Sequence, residues 1–117
     1  MPHKSKTILI VEDEPIIAMC IEDLVRDLGY SSRTARDVLE AVNIVESGQI
    51  DLGILDFTIR DGNSEPVATA LRMRSTPFIV CSGSSDAPVF GAFKGAPFLS
   101  KPYVDAELHQ AIASAMT

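Results

Sequence analysis

Four short apolar runs limit what this chain can fold into: Thr7 to Val11, Leu52 to Leu55, Phe78 to Cys81 and Pro97 to Leu99. Each is continuous rather than alternating. That is the pattern of a strand covered on both faces, as in a parallel sheet flanked by helices. A fifth run, Tyr30 to Thr34, is more polar and suits a sheet edge. Helical spacing fills the intervals. Ile17, Ile21, Leu24 and Leu28 recur on one face, and Gly29 follows as a stop. Asp37 with Glu40 forms a capping-box pattern, with Asp in the Ser/Thr place, ahead of Val38, Val42 and Val45. Ser64 is placed to cap a helix carrying Val67, Ala70 and Leu71, and Asp105 to cap one carrying Leu108, Ile112 and Met116. Residues 83 to 96 fit less well, because Gly83, Pro88, Gly91 and Gly95 interrupt them. An interior glycine costs a helix about 1 kcal/mol relative to alanine. A short, mobile helix from roughly Ala87 to Phe93 is expected there. Five β-α units imply an α/β fold, a doubly wound, five-stranded parallel sheet with helices on both faces.

The chain has 117 residues, so a single domain spanning 1–117 is expected. No repeat, low-complexity tract or linker appears, which leaves little room for an appended output domain. No apolar run approaches the roughly 18 residues of a membrane span, and no signal-peptide cleavage pattern follows the N-terminus. Ten basic residues against 16 acidic ones give a net charge of -6, which argues against a nucleic-acid partner. Cys20 and Cys81 sit inside apolar segments without a CxxC pair, and read as reduced core thiols of a cytoplasmic protein.

Ligands of open parallel sheets bind beyond the carboxyl ends of the strands. Glu12, Asp13 and Glu14 follow the first strand, Asp56 ends the third, Ser82 and Gly83 end the fourth, and Ser100, Lys101 and Pro102 follow the fifth. Taken singly, each acid reads more readily as a cap or turn residue, and Lys101-Pro102 as solvated surface. Their joint delivery to one edge is what distinguishes them. Carboxylates about 4 Å apart repel by roughly 1 to 4 kcal/mol, and a divalent cation relieves that cost. Hard oxygen ligands suit Mg²⁺. A carboxylate can act as a nucleophile toward phosphorus, and the phosphoryl oxygens then need partners such as an ammonium and a hydroxyl.

These segments resemble a response regulator receiver domain of two-component signalling, the CheY-like fold. Ile8-Leu9-Ile10-Val11-Glu12-Asp13-Glu14-Pro15 is similar to the family's first strand and acidic pair. Asp51-Leu52-Gly53-Ile54-Leu55-Asp56 is similar to its phosphoacceptor strand, and Asp61-Gly62 continues that pattern. Phe78-Ile79-Val80-Cys81-Ser82-Gly83 and Phe98-Leu99-Ser100-Lys101-Pro102 resemble the strands that end in its hydroxyl residue and its lysine. The resemblance covers essentially the whole chain and implies the strand order 2-1-3-4-5. It implies that Asp56 accepts a phosphoryl group from a phosphohistidine on a sensor histidine kinase or a histidine phosphotransfer protein. Asp13, Asp56 and the backbone carbonyl of Thr58 would ligate Mg²⁺, with Glu12 holding the ion through water. Ser82 and Lys101 would bind phosphoryl oxygens, and Phe98 holds the place of the switching aromatic, where plain core packing is an equal reading. A downstream protein would then dock on the face made by the fourth helix, fifth strand and last helix.

The chain also departs from the family pattern. Arg60 stands where proline is usual, four residues after Asp56, and reads more readily as solvated than as a contact to the phosphate. Thr58 and Ser84 hold the positions that influence phosphate lifetime, and neither supplies an obvious acid or base. Pro77-Phe78, Ser82-Gly83 and the weak fourth helix resemble a group of stand-alone receivers common in alphaproteobacteria. Other functions fit less well. An aspartate-nucleophile phosphatase typically carries a second Asp two positions on, where this chain has Thr58. A nucleotide site lacks a Gly-Lys-Ser/Thr run. His3 and His109, read as terminal and surface residues, support no Ser nucleophile. A phosphorylation-independent binding module on a receiver fold is the remaining alternative. The expectation is a signalling protein that catalyses only its own phosphoryl transfer and dephosphorylation.

Overall fold

In chain order the elements are β1 (Thr7–Val11), α1 (Pro15–Asp27), β2 (Ser31–Ala35), α2 (Val38–Ser47), β3 (Leu52–Asp56), β4 (Thr58–Ile59) and β5 (Gly62–Asn63). Next come α3 (Glu65–Met73), β6 (Phe78–Ser82), a 3-10 turn at Gly91–Phe93, β7 (Phe98–Ser100) and α4 (Asp105–Ala115). They come from a computed structural model that describes residues 6–60, 62–83 and 91–116. The main sheet is parallel throughout, in the order β2-β1-β3-β6-β7. Counting only its own strands, that is the expected 2-1-3-4-5. The polar run around residue 31 is indeed an edge strand. Each apolar run forms its strand with ends shifted by one residue at most.

The pleat sends successive side chains to opposite faces, so the sheet divides the interior in two. Leu9, Val11, Leu55, Phe78 and Val80 pack with α2 and α3 residues such as Ile44, Val45, Val67 and Leu71. Ile8, Ile10, Leu52, Ile54, Ile79 and Cys81 pack with Ile21 and Val25 of α1 and Leu108 and Ile112 of α4. On β3, Gly53 permits a close approach: a Cβ there would lie 2.7 Å from Cδ1 of the buried Leu71 and 3.3 Å from Cβ of Phe78.

The details differ from the sequence reading in several places. The buried face of α1 is Ala18, Ile21 and Val25, which leaves Ile17 37% exposed. Cys20 lies off that face and is exposed, so only Cys81 is a core thiol. Gly29 does stop α1, at φ +92°. Asp37 caps α2 by accepting from the Glu40 N–H at 2.8 Å. Asp105 does not cap α4: Val104 is the N-cap, and Glu107 Oε1 accepts the Val104 N–H at 2.9 Å. Ser64 is the N-cap of α3, but its hydroxyl makes no cap bond and donates instead to the Phe57 carbonyl at 3.5 Å. Of the expected fourth helix, Ala87 to Phe90 lie outside the described residues, and the remainder is the 3-10 turn. Ser84, Asp61 and His3 also lie outside them, while His109 is exposed. Among the described residues no helix is long and apolar enough to cross a membrane.

Candidate functional site

Parallel strands bring their C-terminal ends to one edge of the sheet. Asp56 ends β3 and pairs in register with Cys81 of β6. Glu12 follows β1, and its N–H continues the ladder to the Ala35 carbonyl at 3.0 Å. Lys101 follows β7, tied to β6 by its N–H donating to the Ser82 carbonyl at 2.7 Å. The side chains converge. Lys101 Nζ lies 3.1 Å from Asp56 Oδ2 and 3.5 Å from Glu12 Oε1. Glu12, Asp13 and Asp56 each offer a carboxylate oxygen, and these oxygens lie within 4.8 Å of one another. Glu12 is 3% exposed, and its other oxygen, Oε2, accepts the Glu14 N–H at 3.1 Å.

Ser82 closes β6 and is buried. Phe98 opens β7 opposite Val80 and is half-buried. Thr58 begins an antiparallel hairpin in which it pairs with Asn63 and Ile59 with Gly62. Gly62 takes φ +130°, a conformation glycine adopts readily. Arg60, beside that turn, is exposed. The sequence reading missed this hairpin, whose one signal was the turn-forming Asp61-Gly62 pair. It also missed Phe57, whose ring centroid lies 5.2 Å from that of Phe93.

The electrostatics are those of a site with surplus negative charge. Burial, with Asp13 adding to it, holds the Asp56 carboxyl above its usual range against the opposing pull of Lys101. Burial does the same to Glu12, where the charges of Asp56 and Asp13 add and the Glu14 N–H and Lys101 oppose. Burial works to lower the Lys101 ammonium, but the hydrogen bond to Asp56 and the charges of Asp56 and Glu12 outweigh it and raise it. Burial pushes the Cys81 thiol up to about 12, so it stays a neutral packing group. Three clustered carboxylates against one ammonium leave a deficit of positive charge that a small, hard divalent cation with oxygen ligands would fill. The donor set fits Mg²⁺.

A testable consequence concerns stability. A carboxyl raised in the fold stabilises the protein at pH below its ordinary range, and that contribution is lost as pH rises through the raised value. Near neutral pH the Mg²⁺-free protein therefore carries Glu12 at a cost. Glu12→Gln is expected to stabilise it by on the order of 1 kcal/mol, or about 5 °C in melting temperature. The gain should shrink in melts at about pH 4, where wild-type Glu12 is itself protonated. Saturating Mg²⁺ should reduce or reverse it, because wild type gains more from the ion.

Comparison with known proteins places these features in context. The family model described as "Response regulator receiver domain" matches residues 8–113. The chain is 35% identical over 114 residues to the phyllosphere-induced regulator PhyR of Methylorubrum extorquens, across 93% of this chain and 43% of that protein. Among solved structures it resembles SdrG from Sphingomonas melonis, at 40% identity and a TM-score of 0.79, with 97% of this chain and 98% of that one covered. It also resembles the response regulator TrrA of Thermotoga maritima, solved in complex with Mg²⁺ and BeF. There the identity is 26% and the TM-score 0.83, across 94% of this chain and 98% of that one. The chain spans less than half the length of the curated relatives PhyR, PilR and TorR.

Proposed function

The chain belongs to the response regulator receiver domain family, and we propose that within it residues 1–117 act as a Mg²⁺-dependent phosphoacceptor module with Asp56 as the acceptor. The observation that carries this reading is the Lys101 ammonium, held 3.1 Å from Asp56 Oδ2 at the edge where three carboxylates gather. The donor is a phosphohistidine on a sensor histidine kinase or a histidine phosphotransfer protein. An Asp56 carboxylate oxygen forms the new bond to phosphorus as the N–P bond of the donor breaks, and that electron pair returns to the imidazole nitrogen.

Each neighbour then has a task. Asp13, Asp56 and the Thr58 carbonyl are the proposed ligands of the ion, and Glu12 holds it through water. When bound, Mg²⁺ supplies positive charge toward the phosphoryl oxygens. Lys101 and the Ser82 hydroxyl each take a phosphoryl oxygen. Asp56 exchanges an ion pair with Lys101 for a covalent link, and Lys101 keeps a negative partner in the phosphoryl group. Phe98 follows the movement of Ser82, so the change reaches the face of β7 and α4 and the crossover before them, where a downstream protein docks. We place the module in the cytoplasm, without a nucleic-acid partner.

Amide NMR tests the reading. With Mg²⁺ alone, shifts are expected around Asp13, Asp56 and Thr58. Beryllofluoride, which mimics the aspartyl phosphate, should add large shifts spreading to Ser82 and residues 91–100. A spectrum indifferent to both additions would leave a phosphorylation-independent binding module and refute the acceptor role.

A further inference from the structure

Residues 91–94, ahead of β7, are held by a clamp on α3. Arg72, in the last turn of α3, donates from Nε to the Ala92 carbonyl at 2.5 Å and from one terminal nitrogen to the Lys94 carbonyl at 2.6 Å. Its guanidinium lies over the Phe78 ring at 5.1 Å, which fixes its plane. At the other end of α3, Glu65 Oε2 accepts the Ala92 N–H at 3.3 Å. Gly91, at φ +55°, leaves the room that carboxylate occupies, since a Cβ there would fall on Oε2. One helix thus grips residues 91–94 with a fork and a carboxylate.

The gripped segment also touches the residue next to Asp56. Phe93 is 1% exposed, and its ring packs on that of Phe57 at 59° between planes. The Phe57 backbone has little freedom. Its N–H donates to the Cys81 carbonyl at 2.8 Å, and its carbonyl accepts the Ser64 N–H at 2.9 Å. A residue pinned between β6 and the start of α3 transmits a displacement rather than absorbing it.

We propose that this clamp opposes loading of Asp56: the Phe57–Phe93 pair and the Arg72 and Glu65 contacts hold residues 91–94 on α3 in the unloaded state, and loading releases them. The inference rests on the phosphoacceptor reading above. Its direction follows from how the crossover is tethered. It is anchored at Ser82 on one side and Phe98 on the other, and Lys101 is bonded to Ser82. A group on Asp56 that draws the Ser82 hydroxyl toward it displaces one of these ends, while the Arg72 and Glu65 bonds hold residues 91–94 to α3, so the clamp resists that displacement. By linkage, whatever weakens the clamp must then tighten binding of the phosphoryl mimic.

Arg72 is exposed, so Arg72→Ala should leave the fold intact. Beryllofluoride affinity in the presence of Mg²⁺, read by fluorine NMR, is expected to tighten about fivefold. Arg72→Lys, which keeps the charge but not the fork, should fall between it and wild type. Hydrogen exchange at the Ala92, Lys94 and Ala96 amides of the unloaded variant should quicken about tenfold. In wild type the same amides should quicken when beryllofluoride binds. Faster exchange in Arg72→Ala with an unchanged or weakened beryllofluoride affinity would overturn the proposal and leave the clamp as packing alone. Wild type that takes up no beryllofluoride at all overturns the acceptor reading itself, a different failure.

Discussion

Asp56→Asn is expected to reduce phosphorylation from a phosphohistidine donor or from acetyl phosphate by at least about 10³-fold, to background. The amide keeps the shape of the side chain and removes the nucleophilic oxygen pair. The Asp56 carboxyl is held above its usual range, chiefly by burial, so the fold favours an uncharged group at that position. The variant should therefore melt no lower than wild type in Mg²⁺-free buffer near neutral pH. Intact-mass spectrometry after incubation with acetyl phosphate and Mg²⁺ measures the first effect, and a thermal melt the second. A phosphorylated Asp56→Asn species would place the acceptor elsewhere.

Lys101→Ala carries the second large effect, and it is opposite in kind. The ammonium lies against two buried or half-buried carboxylates, and among the described residues no other cation is paired with either of them. Removing it should slow phosphoryl acceptance by about 10² to 10³, the usual consequence of losing one group that stabilises developing charge on oxygen. It should also destabilise the Mg²⁺-free protein, by on the order of 1–2 kcal/mol, because Glu12 and Asp56 keep their burial and lose their counter-charge. The pH dependence gives the sign. Lys101 is raised above its ordinary 10.5, so its stabilising effect is fully present at neutral pH and is lost only as pH rises through the raised value. On the acid side, the penalty in Lys101→Ala should fade as the two carboxyls take up protons. Stopped-flow phosphorylation rates and melts across pH 4–8 separate the two consequences. Equal stability of both proteins at neutral pH would mean that the ion pair contributes nothing to the resting fold.

The sheet and the residues at its edge were legible because the constraints on them are local. A strand buried on both faces has to be apolar at every position, and Ile8 to Val11, Leu52 to Leu55 and Phe78 to Cys81 are. A polar residue directly after such a run has to lie at the sheet edge, which places Glu12, Asp56 and Ser82 without reference to anything distant. The helix faces were less legible. In α1 the stretch Ile16 to Ile21 is apolar all round, so periodicity could not say that Ala18, Ile21 and Val25 face inward while Cys20 faces out. The hairpin of β4 and β5 has two pairs, too few for any repeat to register. The Phe57–Phe93 contact and the bonds of Arg72 join residues 20 or more positions apart, and each residue read alone is an ordinary core aromatic or a solvated arginine.

The division of the interior by the sheet has an evolutionary consequence. Among the described residues, those buried behind α2 and α3 form one cluster and those behind α1 and α4 another, since alternate positions of the same strands serve the two sides. A change of volume on one side must be absorbed there, by its own helices. Each face can thus drift through its own sequence of compensated substitutions while Asp56 stays fixed at the end of a strand common to both. Descendants of one ancestral chain could in this way acquire different outer surfaces without renegotiating the chemistry at the sheet edge.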